Sequence, residues 1–401
     1  MSAPGFARES LVMVIASLVR EELARVRPRG TAPPNVTWDG SLAFARGGLE
    51  CDSLELVALG SRVNQMFHLH ESGGERALLT APTLADWADV VESAIPSSER
   101  RLTFLTMGPA GIPTPCEHRH ADLLRDAAAI AERHADRKRI VTFTPPNRLF
   151  GYVSSVLVPA LLGVEVLDAL HLPADALGNE LRPGDLLIAA PWTVTRPLAK
   201  PLRLDPAVHI ALSGSHCEPL LWDRLRNAGA SSVWEYYAAT QSGVVACRPR
   251  PDHAMRLHSN WSRDERGRLH RLSSDAISVP IDPMDRLEWF SQTEFEVRGR
   301  ADESIKIAGE NVFPTRVLET LRRVPGVREA SLRIVDSLGD RRLEARVAID
   351  PDELSPQDAR SLIDQQMDLS LHHHERPSTI SIELAAGDTD APRHLVGSAS
   401  P

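Results

Sequence analysis

Gly299-Arg300-Ala301-Asp302-Glu303-Ser304-Ile305-Lys306-Ile307-Ala308-Gly309-Glu310-Asn311-Val312-Phe313-Pro314 is the stretch from which the rest of the chain is read. It gives a charged turn, an alternating strand with Ile305 and Ile307, and a glycine corner. Pro314 then opens a helix, where its missing N–H costs nothing and its fixed φ is already helical. Val317, Leu318 and Leu321 fall on one face of that helix. Beyond Pro325-Gly326, residues 330–335 and 343–349 alternate again as two strands. The segment predicts a small α+β unit.

The order Gly-Arg-x-Asp, Ile-Lys, Gly, Pro, Glu in Gly299–Glu319 resembles the hinge and C-terminal subdomain of the acyl-adenylate-forming superfamily. That resemblance implies that Arg300 lies near ATP and that Asp302 is the pivot about which the small domain rotates between adenylation and thioester formation. The chain's 401 residues leave room for two to three domains. Forty-five Lys and Arg against 54 Asp and Glu give a net charge of −9, which argues against nucleic-acid binding. Cys51, Cys116, Cys217 and Cys247 are scattered without zinc-ligand spacing and read as free thiols. No apolar run approaches the roughly 20 residues of a membrane span. The N-terminus lacks a signal pattern, so a cytoplasmic protein is expected.

Upstream, Leu11, Val12, Ile15, Leu18, Val19 and Leu23 recur at helical spacing, and a second helix is expected to start at Asp52-Ser53. From the residues alone Asp52-Ser53 is an N-cap pair. Gly48-Leu49-Glu50-Cys51-Asp52-Ser53-Leu54-Glu55-Leu56 also resembles the attachment motif of acyl carrier proteins. The resemblance implies 4'-phosphopantetheine on Ser53, with Asp52, Leu54 and Glu55 recognised by a phosphopantetheinyl transferase. The whole segment is similar to carrier domains fused to short ligases of aryl polyene pathways, which implies a ketosynthase or other acyl-processing enzyme as partner.

Leu102–Leu105 reads as a strand leading into Thr106-Met107-Gly108-Pro109-Ala110-Gly111-Ile112-Pro113-Thr114, with a helix expected from His118. A glycine-containing loop between strand and helix can present amides to phosphate. The superfamily resemblance assigns Thr106, Gly108 and Gly111 to the nucleotide phosphates, with Thr114 standing where a lysine is usual. Further strands are expected at residues 140–143, 163–168, 185–190 and 209–213. Arg148 and Gly151 fall at the implied acyl pocket, Arg148 standing in place of a common histidine. Ser213, Gly214, Tyr237 and Thr240 fall on the implied adenine and phosphate platform, and Gln241 replaces a carboxylate that would hold Mg²⁺. Asp275 is the candidate for the ribose hydroxyls. In Pro392-Arg393-His394-Leu395-Val396-Gly397-Ser398, Ser398 takes the place of the superfamily's catalytic lysine. The run His372-His373-His374 reads as a solvated turn, because consecutive imidazoles point different ways, so no metal site is assigned.

The expected architecture is multidomain: an all-α four-helix carrier bundle (1–95), a linker (96–101), a shortened α/β adenylate-forming core (102–299), a hinge (300–302), a small α+β C-terminal domain (303–386) and a tail (387–401). The expected function is ligation of a small carboxylic acid, of the aryl class, with ATP and Mg²⁺ to an acyl-adenylate and then to the carrier thiol. The alternative is an inactive pseudo-ligase, serving as a carrier, scaffold or nucleotide-binding module that is loaded in trans. Loss of charge at Thr114, Gln241 and Ser398 favours the alternative. Retention of Arg300, Asp302, Lys306 and Tyr237 favours the enzyme.

Overall fold

The computed structural model describes residues 8–27, 38–45, 47–94, 100–108, 111–173, 176–195, 203–272, 279–337 and 340–385. The chain divides into two compact units, one of residues 1–108, 112–311 and 337–340, the other of residues 109–111, 312–336 and 341–401.

In the first unit, helices α1 (Arg8–Val26) and α2 (Ser53–Phe67) and a helix at Leu84–Ala94 precede the hairpin β1 (Arg101–Met107) and β2 (Pro113–Arg119). A helix at His120–Arg133 follows at once. Next come β3 (Arg139–Thr142), β4 (Glu165–Asp168), β5 (Asp185–Ala189), β6 (His209–Leu212), β7 (Ser232–Ala239), β8 (Gly243–Arg248) and β9 (Met255–Leu257). The short pair β10 (Trp261–Arg263) and β11 (Leu269–Arg271) precedes β12 (Asp285–Trp289) and β13 (Glu294–Arg300). Nine of these strands form one sheet in the order β12-β13-β9-β8-β7-β6-β5-β3-β4. Strands β3 to β7 pair in parallel, and β7 to β13 turn antiparallel. Strand β5 is buried along its whole length, the continuous apolar run expected of a central parallel strand covered on both faces. Its one carboxylate, Asp185, is paired with Arg139 of β3 at 2.7 Å.

The separate carrier bundle expected for residues 1–95 is not present. Leu11, Ile15, Leu59, Val63 and Trp87 belong to one apolar core with Phe104, Leu123, Ile140, Leu186 and Ala211 of the α/β layer. The sequence pattern showed a stripe on α1; Val14 and Ala16, which flank it, are buried too, so the buried face is broad enough to pack on the α/β layer as well as on the neighbouring helices. Polar contacts tie it down as well. Ser17 donates to Asn147 Oδ1 at 2.9 Å, and Asn147 Nδ2 donates to Glu21 at 2.6 Å, joining α1 to the turn after β3.

A second correction concerns residues 106–114. The strand does not lead through a loop into a helix. It folds back as a hairpin, with Thr106 opposite Thr114 and the helix delayed to His120, so His118 and Arg119 lie in β2. Pro113 and Pro115 argue against a strand in sequence terms, but in a two-stranded hairpin a missing N–H can face outward.

The strand β14 (Ile305–Ile307) and the glycine corner, with Gly309 at φ +83°, stand where the sequence puts them, and a second strand that the sequence reading did not include, β15 (Glu310–Val312), pairs with β14. The second unit then begins with a helix at Pro314–Arg322, Pro314 lying in its first turn. Strands β16 (Val327–Ser337), β17 (Asp340–Ile349) and β18 (Thr379–Leu384) form its sheet in that order, with a helix at Pro356–Ser370 capped by Ser355. Arg316 holds the fully buried Glu375 at 3.0 Å. Among the described residues no helix is long and apolar enough to cross a membrane.

Four buried histidines make the first unit acid-sensitive. Burial lowers His134 and His258 to about 3, and His118 and His120 to about 4, from an ordinary 6.5. The folded chain keeps these rings neutral while the unfolded chain takes up protons below about pH 6.5. Their stabilisation is therefore complete above that pH and lost as pH falls toward 3–4. Urea unfolding at pH 7.5, 6 and 5 should show a falling midpoint, each ring contributing on the order of 1–2 kcal/mol by pH 5.

Candidate functional site

The antiparallel register of β12 and β13 sets Asp285 directly opposite Arg300, with a bulge just beyond it. Tyr237, at the end of β7, donates its hydroxyl to Asp285 Oδ2 at 2.8 Å, and Arg300 Nη1 lies 3.6 Å from Asp285 Oδ1. Arg300 also forks onto Asp302 with bonds of 3.0 and 2.6 Å, and its Nε reaches Ser304 Oγ at 3.0 Å. Ser304 in turn donates its hydroxyl to Asp302 at 2.7 Å. Tyr237 is buried with its ring edge against Phe295, and burial together with Asp285 raises its pKa well above the usual value. Burial works against Arg300, but Asp302 and Asp285 outweigh it and hold its pKa up. Burial likewise opposes the Asp302 carboxylate, while bonds from Arg300 and Ser304 draw its pKa down.

Arg148 pairs with Glu310 at 2.5 Å and with Glu21 of α1 at 3.4 Å. Burial opposes its charge, yet the two carboxylates raise its pKa. Half-buried Lys306 is lowered by burial and by the repulsion of Arg300 and Arg148, and raised in part by Glu310 and Asp285. These groups form one charged neighbourhood at the end of the sheet. Asn311 Nδ2 joins it to the hairpin, donating to Thr106 Oγ1 at 3.3 Å and to the Met107 carbonyl at 3.4 Å. Thr114 is exposed on the opposing strand. Gly108 closes the hairpin end with an N–H bond to the Ile112 carbonyl, and Gly111 has φ +71°, a conformation that favours glycine.

Ser213 is buried and donates to the Tyr236 carbonyl at 2.9 Å, pinning β6 to β7, and Gly214 follows it at φ +96°. Gly151 has a packing reason of its own: a Cβ there would lie 2.0 Å from the Pro145 carbonyl oxygen. Thr240 and Gln241 sit in a turn held by its carbonyls. His118 Nε2 lies 2.7 Å from the Thr240 oxygen, and that acceptor fixes the proton on Nε2. Arg271 donates to the Ser242 oxygen at 2.6 Å. The same guanidinium forks onto Asp126 at 2.9 Å through both nitrogens. Asp126, fully buried, also accepts from the Val244 N–H, Asn260 and the Trp261 indole.

Two expected residues, Asp275 and Ser398, lie outside the described residues. Asp285 is the carboxylate that joins Tyr237 to Arg300. Sequence reasoning passed over it, although the pairing of two charged strands flanking Trp289 and Phe290 could have pointed to it. Ser53 stands exposed at the first position of α2, where Asp52 caps the helix and accepts from the Glu55 N–H at 2.8 Å while Glu55 reaches back to the Asp52 N–H. Glu55 is further paired with Arg27 at 2.7 Å, and Leu54 is 79% exposed. Ser53 shares none of the contacts that join the Tyr237 cluster. A cavity of about 990 Å³ lies between α1 and β4, lined by Met13, Arg20, Trp38, Val164, Asp168 and His171 among others; none of Tyr237, Asp285 or Arg300 lines it.

No family model matches the chain. A 4-coumarate–CoA ligase of Halorhodospira halophila is 29% identical over 394 residues, covering 98% of this chain and 99% of the relative. A 4-coumarate–CoA ligase of Rhodobacter capsulatus is 30% identical over 359 residues, covering 86% and 90%. The solved structure of the amide bond synthetase McbA from Marinactinospora thermotolerans covers 94% of this chain and 91% of its own at a TM-score of 0.55 and 14% identity. That likeness concerns the fold, and its extent places the N-terminal helices within the α/β fold rather than in a carrier domain.

Removing the Asp126 carboxylate leaves Arg271 buried without its partner, so Asp126→Ala should destabilise the chain by about 3–5 kcal/mol, measured by urea unfolding at pH 7.5.

Proposed function

The chain belongs to the adenylate-forming family of AMP-forming acyl-CoA ligases, and from that premise we propose that it activates an aryl carboxylic acid with ATP and passes the acyl group to a thiol. The observation that carries the reading is the joined set Tyr237, Asp285, Arg300 and Asp302. In the first half-reaction the acid's carboxylate oxygen attacks the α-phosphorus of ATP and pyrophosphate leaves. In the second, a thiolate attacks the acyl carbonyl and AMP leaves.

Asp285 is proposed to accept from the ribose hydroxyls, in the role first given to Asp275. Arg300 is proposed to face the phosphate charge, with Tyr237 flanking the base and Thr106, Gly108, Gly111, Ser213, Gly214 and Thr240 framing the nucleotide. Arg148, steadied by Glu21 and Glu310, offers a cation to the substrate carboxylate, with Gly151 behind it. Asp302 is proposed as the hinge. Gln241 offers an amide oxygen without charge, so Mg²⁺ would be held chiefly by the triphosphate it arrives with. The names of the relatives make a hydroxycinnamate the first acid to try, with coenzyme A as acceptor. The exposed hydroxyl of Ser53 beside exposed Leu54 supports a second, local reading, 4'-phosphopantetheine attached at this helix start without a separate carrier domain.

Two measurements test these readings. Incubation with ATP, Mg²⁺, coenzyme A and 4-coumarate or other aryl acids should release AMP in an acid-dependent way. Removing one charged donor to the transition state should lower the rate by roughly 10²–10³ in Arg300→Ala. No AMP with any acid would leave the inactive pseudo-ligase as the reading. Intact mass after incubation with a phosphopantetheinyl transferase and coenzyme A should rise by one phosphopantetheine and stay unchanged in Ser53→Ala; an unchanged parent mass removes the Ser53 reading alone.

A further inference from the structure

Helix α2 ends in a residue with an unusual backbone: His68 has φ +56° and ψ +36°, the left-handed conformation, and its N–H is bonded to the Asn64 carbonyl. That turn brings His68, His70 and Glu71 together, and one donor atom from each lies within 4.8 Å of the other two. His68 Nδ1 is 3.5 Å from Glu71 Oε1. The outward-facing nitrogen of each ring is already engaged. His68 Nε2 lies 2.9 Å from the hydroxyl of Thr103 on β1, and His70 Nδ1 lies 3.1 Å from Asn64 Oδ1, which also accepts from the His70 N–H at 2.8 Å.

We propose that His68 Nδ1, His70 Nε2 and the Glu71 carboxylate form a binding site for a divalent transition metal of the zinc class, made of residues distinct from those proposed to bind the nucleotide. Imidazole nitrogens with one carboxylate suit zinc rather than magnesium or calcium, which take oxygen ligands. Metal-bound histidines characteristically use the second ring nitrogen for a hydrogen bond that fixes the tautomer and orientation, and both rings have that arrangement here. His68 is fixed by burial; His70 and Glu71 are exposed, so small rotations close the set to the roughly 3.3 Å ligand spacing of a tetrahedral ion. Water fills the fourth position.

Arg101 competes with the ion for the site. Arg101 of β1 pairs with Glu71 and, at 3.1 Å, with Glu117 of β2. Metal and guanidinium share Glu71, so binding draws that carboxylate away from Arg101. The ion would stiffen the turn that ends α2, where Thr103 of β1 already holds His68.

The full chain, stripped with chelator, would be titrated with ZnCl₂ by isothermal calorimetry. One zinc per chain is expected. His70→Ala and Glu71→Gln should each weaken it at least ~10-fold, and Asn64→Ala, which loosens only the support of His70, by roughly 10-fold. Arg101→Ala should tighten binding, an outcome that a purely structural role for these residues does not produce. His373→Ala should leave the titration unchanged. Circular dichroism checks that each variant folds. Absence of stoichiometric binding, or binding that is the same in His70→Ala and Glu71→Gln, would overturn the proposal.

Discussion

A carboxylate with no access to water must be fully paired or it will not stay charged, and Asp126 meets that demand with five donors from four places in the chain. Its pairing brings β8, β10 and β11 against the helix at His120–Arg133. Arg271, drawn in by the same carboxylate, reaches past it to the Ser242 carbonyl. With His118 holding the Thr240 carbonyl from the hairpin, the turn that presents Thr240 and Gln241 is fixed from two directions. The geometry of that turn thus depends on the buried Asp126–Arg271 pair.

Electrostatics elsewhere in the site follows the same economy. Tyr237, Asp285, Arg300, Asp302 and Ser304 satisfy one another; against burial, Asp302 and Asp285 hold the Arg300 pKa up, and Arg300 and Ser304 hold the Asp302 pKa down.

Local pattern was enough for the parts of the chain whose structure is decided locally. Pro314, Gly309 and the Ile305/Ile307 alternation fixed strand, corner and helix where the structure has them. Residues 140–143 and 185–190 read as strands because each is a short, mostly apolar run, and β3 and β5 there lie buried in the parallel part of the sheet. The failures were all of long-range pairing. Asp285 becomes a site residue only through its register opposite Arg300, 15 positions on. The fold-back of β1 onto β2 was hidden by prolines that a two-stranded hairpin tolerates. The N-cap at Asp52 was real, but whether the helices around it closed on themselves or on a sheet was decided by packing on Phe104, Ile140 and Leu186, far away in the sequence.

The ion path Arg62–Glu21–Arg148–Glu310 begins on α2, crosses α1 and ends on β15. Through it the first helices are joined electrostatically to Arg148 and β15, so exchanging N-terminal segments between relatives would re-form or break these pairs and change the charge environment of Arg148 without any substitution at Arg148 itself.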